Sequence, residues 1–275
     1  MDVLHLPAWT IPRRLPVPVV ATFCDATPFR YESPAEPWRR HRARQAIRSL
    51  ARATAVHAIS HHARAELLST VDLREERVVV AHLGVGAPFS PAPMPATPEH
   101  ILFVGGTDPH KNLDLLLAVV AAPEGARLPP LVVAGPAALP SGAATLSAQG
   151  RVRTVTTPDD AALAALYQRA LALVLPSRNE GFGLPALEAM ACGCPVVAAR
   201  SGALPEVCGD AAVLLDPDEP ADWRDALLAL LDDPGRRAAL THAGLERART
   251  FSWDRTASEL TAIYLAASRA ESARS

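Results

Sequence analysis

The sequence has no apolar run of membrane-spanning length and no strong excess of either charge. Its longest apolar runs, such as 113–122, fall well short of the ~20 residues that a membrane span needs. The net charge is −2 at pH 7, so overall charge does not indicate a nucleic-acid partner. No repeat of solenoid period is present. We therefore expect a globular, soluble chain, or at most a peripheral one.

Cysteine is scarce, and no secretory signal precedes it. The four cysteines are Cys24, Cys192, Cys194 and Cys208. Without a signal segment we expect a cytoplasmic location and reduced thiols. The C-x-C pair formed by Cys192 and Cys194 has no second pair or nearby histidine, so it is weak evidence for a metal. Buried structural thiols are the favoured interpretation.

What the sequence does contain is an alternation of short apolar strands with helical patterns. This alternation predicts parallel βαβ units and an α/β fold. Predicted strands are 2–7, 17–23, 55–60, 77–83, 101–104, 131–134, 152–155, 171–175, 196–199 and 213–215. Predicted helices are 36–52, 61–71, 112–122, 160–170, 184–192, 222–231, 236–250 and 253–269. A stretch rich in proline and small residues, 84–98, predicts a linker, and the elements after it form one complete doubly wound domain.

The most informative stretch is S-R-N-E-G-F-G-L-P-A-L-E, residues 177–188. It connects a predicted buried strand to a predicted helix, and Pro185 suits the first turn of that helix. Gly181 and Gly183 allow unusual backbone angles and close approach of a ligand. The unpaired N–H groups at the helix start favour a phosphate group. Glu180 and Glu188 can accept hydrogen bonds from sugar hydroxyls, which indicates a sugar-nucleotide site. The alternative is a plain strand–turn–helix corner with two solvated glutamates.

A second strand–turn–helix corner, F-V-G-G-T-D-P-H-K-N, occupies residues 103–112. Lys111 adds a full positive charge to the partial charge of a helix start, which suits a diphosphate. The alternative is a surface lysine beside Asn112 as the residue that caps the helix. Because both corners follow parallel strands of one predicted sheet, Lys111 would lie opposite the loop that carries Glu180, and this favours the ligand.

The segment E-G-F-G-L-P-A-L-E resembles the E-x7-E motif of retaining glycosyltransferases of family 4, which have the GT-B fold. The resemblance implies an α/β protein of GT-B type with one complete Rossmann-like donor domain and a partial Rossmann-like acceptor domain. We therefore expect an acceptor-side domain at 1–90, a linker at 91–99 and a nucleotide-sugar-binding domain at 100–252. A C-terminal helix within 253–275 would pack back on the first domain.

The resemblance also assigns roles to residues. Glu188 would bind the ribose, Glu180 the transferred sugar, and Glu180 and Lys111 would carry the catalysis. Thr156 and Thr157 fall where relatives hold the base. The full donor-binding set is Gly105, Gly106, Lys111, Thr156, Thr157, Glu180, Gly181, Phe182, Gly183, Leu184 and Glu188. The implied mechanism is front-face displacement, and no metal or other cofactor is expected because no DxD-like motif is placed for one.

The implied function is transfer of a hexose of mannose or glucose type from a nucleotide-diphosphate sugar. The acceptor is unknown and could be a growing polysaccharide or a lipid-linked glycan.

Cys24 stands where family members carry a histidine, and no strand with a glycine-rich turn precedes Asp2. We therefore expect one of three explanations, which are a mis-assigned start, a fragment, or a short form that needs a partner. The alternative function is a catalytically impaired sugar-nucleotide-binding fragment or partner-dependent subunit. A third, a sugar-nucleotide epimerase, would need acid–base groups beside the sugar, and none is identified.

Four arginines repeat at every fourth position of one predicted helix: Arg40, Arg44, Arg48 and Arg52. Like charges at this spacing destabilise a helix by ~0.2–0.5 kcal/mol per pair. The favoured interpretation is a solvated basic face. The alternative is an anionic partner, which could be a phosphorylated acceptor, a lipid-linked phosphate or the inner face of the membrane.

Overall fold

The computed structural model describes residues 3–7, 10–12, 15–27, 37–92, 97–135 and 139–272. The chain forms two compact units. The first consists of Met1–Gly84, Glu180–Phe182 and Phe251–Ser275, and the second of Val85–Asn179 and Gly183–Thr250. Each unit contains its own sheet, and every strand pair in both sheets is parallel. The predicted α/β class is confirmed.

The elements are numbered here in chain order. The strands are β1 (Leu4–Leu6), β2 (Val19–Phe23), β3 (Ala55–Ala58), β4 (Val78–Val80), β5 (His100–Val104), β6 (Leu131–Gly135), β7 (Val152–Thr156), β8 (Ala170–Leu175), β9 (Val196–Ala199) and β10 (Val213–Leu215). The helices are α1 (Pro37–Ser49), α2 (His61–Thr70), α3 (Leu113–Ala121), α4 (Ala144–Ala148), α5 (Asp160–Arg169), α6 (Leu184–Ala191), α7 (Leu204–Cys208), α8 (Pro220–Asp232), α9 (Pro234–Ala248) and α10 (Trp253–Ser272).

Some element bounds differ from the predicted ones, for local reasons. Sequence periodicity missed α4 and α7 because each is only 5 residues long, which is little more than one helical turn. The predicted helix 36–52 is α1 followed by a 3-10 turn, Leu50–Arg52, and position 36 lies outside the described residues. Among the described residues, no helix is both long and apolar enough to cross a membrane.

The cysteines of the second unit are free thiols in its core. Cys192, Cys194 and Cys208 are all buried, which confirms the prediction of structural thiols. Burial raises the pKa of Cys192 and of Cys208 to about 12. These groups therefore remain protonated at neutral pH.

The second unit is doubly wound. Its six strands run in the order β10-β9-β8-β5-β6-β7, so the first strand of the unit, β5, lies beside the fourth, β8. From this pair the strand order proceeds outward in both directions. In sheets of this kind the ligand crevice lies outside the carboxyl ends of the two strands at which the order reverses. The structure therefore places the candidate crevice of this unit after β5 and β8.

The first unit has a four-stranded sheet in the order β1-β2-β3-β4. Helix α10 packs against it through Leu260, Ile263, Tyr264 and Ala267, which recur at the spacing of one helix face. Ile263 and Ala267 form a buried cluster with Val20 of β2. The helix thus closes the core of this unit.

A chain of polar side chains crosses the sheet of the first unit. The Nε2 atom of His57 lies 2.7 Å from the carbonyl oxygen of Ala81, which can only accept, so this nitrogen carries the proton. The Thr22 hydroxyl, 3.0 Å from the other ring nitrogen of His57, must then donate to it. Nε2 of His5 donates to Thr22 at 2.8 Å, and the Tyr264 hydroxyl donates to His5 at 2.6 Å. Both histidines are neutral in this arrangement, and burial lowers the pKa of each.

These neutral histidines predict acid sensitivity of the fold. A buried histidine that stays neutral in the folded chain becomes protonated on unfolding below its ordinary pKa of 6.5. Its contribution to stability is therefore complete above that pH and is lost as the pH falls from there toward the lowered folded pKa. We expect His57→Gln to reduce the slope of unfolding free energy against pH in this window, by up to about 1.4 kcal/mol per pH unit. Urea unfolding at a series of pH values measures it.

His242→Gln is the matched control, because His242 is exposed on α9. It should leave the slope unchanged. Equal slopes for wild type and His57→Gln would contradict the assignment of a neutral His57.

Candidate functional site

The loop that follows β8 is largely buried and enters α6 through a left-handed glycine. Gly183 has φ 100° and ψ 44° and caps the helix, and Pro185 lies in the first turn, as predicted. A Cβ at Gly183 would lie only 2.8 Å from Cδ2 of Leu204. Both the backbone angle and this contact require the absence of a side chain. Leu184 is the first residue of α6 and is half-buried.

Glu188 lies one turn into α6 and is half-buried. Its Oε2 atom accepts a hydrogen bond of 2.9 Å from the hydroxyl of Tyr167 on α5. Burial raises the pKa of the Glu188 carboxyl, the Tyr167 hydrogen bond lowers it, and the charge of Asp160 raises it. The carboxylate is thus partly removed from water but retains acceptor positions that a ligand can use.

The loop that follows β5 carries Lys111, the only lysine in the sequence. Gly105 has φ 151°, and a Cβ built on it would lie 3.6 Å from Cδ of Lys111, so the lysine stem passes over this glycine. Gly106 follows and is half-buried. Lys111 ends a short 3-10 turn, Pro109–Lys111, immediately before α3. The lysine therefore lies at the carboxyl end of β5, as the sequence predicted.

Asn112 has a role that sequence reasoning missed. Its position predicts a capping residue, but its side chain makes no capping hydrogen bond, and its backbone is left-handed with φ 56°. Its side-chain amide instead donates to the carbonyl oxygens of Pro176 at 3.2 Å and Pro217 at 2.7 Å. Asparagine tolerates left-handed backbone angles better than most residues, which is the only signal in the sequence for this role.

A second bond joins the same two loops. The backbone N–H of Arg178 donates to the carbonyl oxygen of His110 at 2.7 Å. The Arg178 guanidinium forms an ion pair with Asp218, in the segment after β10. The loops after β5, β8 and β10 are therefore tied together at one edge of the sheet, and the first two carry Lys111 and lead to Glu188.

Thr156 and Thr157 lie at the same edge but farther out. Thr156 is the last residue of β7, which is separated from β5 by β6. Both threonines are exposed. Thr157 has φ 41°, which is unusual for a β-branched residue, and its N–H donates to the carbonyl oxygen of Gly135 at 3.3 Å. Their predicted contact with a base stays a prediction.

The remaining predicted residues, Glu180, Gly181 and Phe182, group with the first unit. The carbonyl oxygen of Gly181 accepts a 2.7 Å hydrogen bond from the Ser60 hydroxyl, which also caps α2. A Cβ at Gly181 would lie 2.2 Å from the carbonyl oxygen of Cys24, so only glycine fits.

The ring of Phe182 packs beside those of His82 and Phe251, with centroids 6.0 and 5.9 Å away. Because Glu180 groups with the first unit and Lys111 with the second, their sharing of one pocket stays a prediction.

Two units with parallel sheets, the second of them doubly wound, define an α/β protein with Rossmann-like units. Residues 89–247 match the family model described as Glycosyl transferases group 1. This match covers more than half of the chain. The chain belongs to this family.

Curated relatives support the family assignment. The D-inositol 3-phosphate glycosyltransferase of Thermobispora bispora is 38% identical over 225 residues, which cover 72% of this chain and 53% of that protein. The protein of the same name from Segniliparus rotundus is 41% identical over 182 residues, or 62% of this chain and 40% of that protein. The chain spans about half the length of the curated relatives it matches.

Solved structures show the same fold. Sucrose-phosphate synthase from Thermosynechococcus elongatus has a TM-score of 0.82 at 23% identity, with 99% of this chain and 74% of that chain covered. HepE of Anabaena in complex with UDP and glucose has a TM-score of 0.73 at 19% identity, with 89% and 71% covered. The predicted GT-B fold is confirmed.

The geometry of the α6 entrance predicts a graded series of glycine substitutions. Gly183→Ala combines a left-handed backbone with the Leu204 contact, and we expect it to lower the free energy of unfolding by about 1–2 kcal/mol or more. Gly150→Ala has φ 70° but open space around it, so it should show the backbone cost alone. Gly142→Ala has neither feature and should be nearly neutral. Urea unfolding of the three variants measures the series, and a Gly183→Ala variant as stable as Gly142→Ala would contradict the described geometry.

Proposed function

We propose that this chain is a retaining glycosyltransferase that moves a hexose of mannose or glucose type from a nucleotide-diphosphate sugar to an acceptor hydroxyl. The observation that carries the proposal is the placement of Lys111 and Glu188 after the two strands that flank the switch point, in a chain of the glycosyl transferases group 1 family. A cation suits the diphosphate, and a carboxylate suits the hydroxyls of the ribose.

The donor would lie across the loops after β5 and β8. The backbone of the loop that leads into α6 and the ammonium group of Lys111 would face the diphosphate. When the bond between the sugar and the diphosphate breaks, negative charge develops on the diphosphate, and these fixed positive groups stabilise it. Glu180 would bind the hydroxyls of the transferred sugar, so that the acceptor hydroxyl attacks from the face that the diphosphate leaves. HepE of Anabaena, which shares the fold, was solved with UDP and glucose.

The acceptor is proposed as a growing polysaccharide, a lipid-linked glycan or a phosphorylated polyol. The last class is included because the curated relatives are named for D-inositol 3-phosphate. Cys24, exposed after β2, favours the second candidate function, a sugar-nucleotide-binding subunit that turns over only with a partner. A thiol does not reproduce the paired donor and acceptor of a neutral imidazole. Transfer or donor hydrolysis by the purified chain supports the enzyme, and tight donor binding without turnover supports the subunit.

The single lysine makes the donor site directly testable. Acetylation of the folded chain with an amine-reactive reagent can modify only Lys111 and the terminal amine, and peptide mass spectrometry separates the two. We expect UDP, GDP or ADP to slow acetylation of Lys111 and to leave the terminal amine unaffected, because the bound diphosphate covers the ammonium group. The same nucleotide should raise the melting temperature.

Two substitutions extend this test. Lys111→Ala and Glu188→Gln should each weaken nucleotide binding by at least about tenfold, since each removes a charge-assisted interaction. Arg153→Ala is the control, because Arg153 is exposed on β7 and has no predicted role in nucleotide binding. If no nucleotide protects Lys111 and neither variant changes binding, the donor-site proposal is wrong.

We also propose that the arginines on α1 and the following turn contact an anionic membrane surface. Arg44, Arg48 and Arg52 are exposed, and the first turn of α1 has no acidic residue. One contact competes with this role, because the guanidinium of Arg52 donates to the carbonyl oxygen of Ile11 at 2.7 Å.

Replacing Arg40, Arg44, Arg48 and Arg52 by glutamine should weaken binding to vesicles that contain phosphatidylglycerol, by about fivefold for each arginine that contacts the surface. Binding to phosphatidylcholine vesicles should not change. The matched control replaces four exposed arginines of the second unit, Arg127, Arg153, Arg236 and Arg249. If sedimentation with anionic vesicles is the same for both variants, the arginines on α1 form a solvated face only.

A further inference from the structure

Tyr167 is a fully buried phenol whose only described polar contact is the Glu188 carboxylate. The residue is 0% exposed, and its hydroxyl lies 2.9 Å from Oε2 of Glu188. A carboxylate only accepts, so the phenol donates. Burial, followed by the charge of Glu188, raises the pKa of the phenol well above its ordinary value, so the donor is present throughout the neutral range.

The ring of Tyr167 also contacts the segment that precedes β5. Phe89 packs edge-on against it with ring centroids 6.1 Å apart. The neighbouring Gln168 donates from its side-chain amide to the carbonyl oxygen of Ser90 at 2.8 Å. The same residue, Ser90, hydrogen-bonds through its backbone with the Cys192 thiol at the end of α6. The segment before β5 thus contacts both α5 and the end of α6, the two helices that carry the phenol and the carboxylate.

This contact restrains the carboxylate. One hydrogen bond uses one of its roughly four acceptor positions and stops rotation of the group, so the others keep fixed directions. A side chain of α6 without that restraint would sample several rotamers and lose entropy on binding. A vicinal diol needs two acceptor positions held at a fixed separation, and the ribose of a nucleotide presents such a diol.

We propose that Tyr167 is a positioning residue that orients Glu188 to recognise the ribose diol, so that the site prefers ribonucleotides over deoxyribonucleotides. The inference rests on the proposed function and adds a residue and a specificity to it. Tyr167 itself would not touch the ligand, because its hydroxyl is already occupied by Glu188.

The test measures affinities of UDP, GDP and ADP and of their 2′-deoxy and 3′-deoxy forms by calorimetry. Wild type should prefer the ribose form by at least about tenfold, since the deoxy form leaves a charged acceptor unpaired. Tyr167→Phe keeps the ring and its packing, and we expect it to reduce this preference about three- to tenfold. Tyr264→Phe makes the same chemical change in the first unit and should leave the preference unchanged.

Nucleotide affinity measured over a range of pH distinguishes a positioning role of Tyr167 from a purely structural one, because a structural role would not change the pH midpoint. The titratable groups that act on the Glu188 carboxyl are Tyr167 and Asp160 of α5 and Cys192 at the end of its own helix. The Tyr167 hydrogen bond favours the ionised carboxylate, and only that form accepts from both hydroxyls of a diol. Affinity should therefore fall at low pH in wild type, and the midpoint should move to higher pH in Tyr167→Phe.

A double variant keeps the inference falsifiable if Tyr167→Phe does not fold. Tyr167→Phe combined with Glu188→Gln removes the buried charge together with its donor, and its ribose preference should equal that of Glu188→Gln alone. A further loss in the double variant would show that Tyr167 acts by another route. Equal weakening of ribose and deoxyribose forms by Tyr167→Phe, with an unchanged pH midpoint, would also overturn the inference. If wild type binds none of the nucleotides, the proposed function fails first, which distinguishes the two failures.

Discussion

The pairing of β5 with β8 is the constraint on which the candidate site depends. In a parallel sheet all strands end at the same edge, so two loops far apart in sequence meet only if their strands are neighbours. Here the neighbours are the first and fourth strands of the second unit. The amide of Asn112 and the N–H of Arg178 then tie the two loops together by donating to backbone carbonyls across them. The strand order and these two hydrogen bonds together place the loop that carries Lys111 beside the loop that leads to Glu188.

The Lys111 ammonium group and the Glu188 carboxylate have different surroundings in the fold. The aliphatic stem of Lys111 passes over Gly105. Desolvation disfavours the charge of the half-buried Glu188, and the Tyr167 hydroxyl offsets part of that cost. This half-buried carboxylate has one hydrogen-bond donor among the described side chains and retains further acceptor positions. Ligand hydroxyls could occupy those positions, which is consistent with the proposed binding site.

Much of the fold and part of the candidate site could be predicted from the sequence, because they depend on patterns between residues that are close together in the chain. The alternation of strands and helices, the left-handed Gly183 and the placement of Lys111 after a strand follow from periodicity and from glycine and proline positions. The role of Asn112 could not be predicted, because its partners Pro176 and Pro217 are 64 and 105 residues away. The contact between Tyr167 and Glu188 could not be predicted from the sequence either. In the sequence it is an apolar-face residue of α5, and its hydroxyl finds Glu188 only after two helices pack on the same sheet.

The residues proposed to bind the nucleotide and those proposed to act in sugar transfer belong to different units. Lys111, Asn112, Tyr167 and Glu188 all belong to the second unit, as do both partners of the Tyr167–Glu188 hydrogen bond. Glu180 and Cys24 belong to the first unit, where the Gly181 carbonyl is fixed by Ser60 and the backbone of Cys24 leaves no room for a side chain at position 181. Under the proposed function, nucleotide affinity would report on the second unit, whereas sugar transfer would also depend on the first. A chain that binds the donor through the one and lacks a competent group in the other would hold a sugar nucleotide without using it, and Cys24 is the position at which restoring a histidine would separate these two conditions.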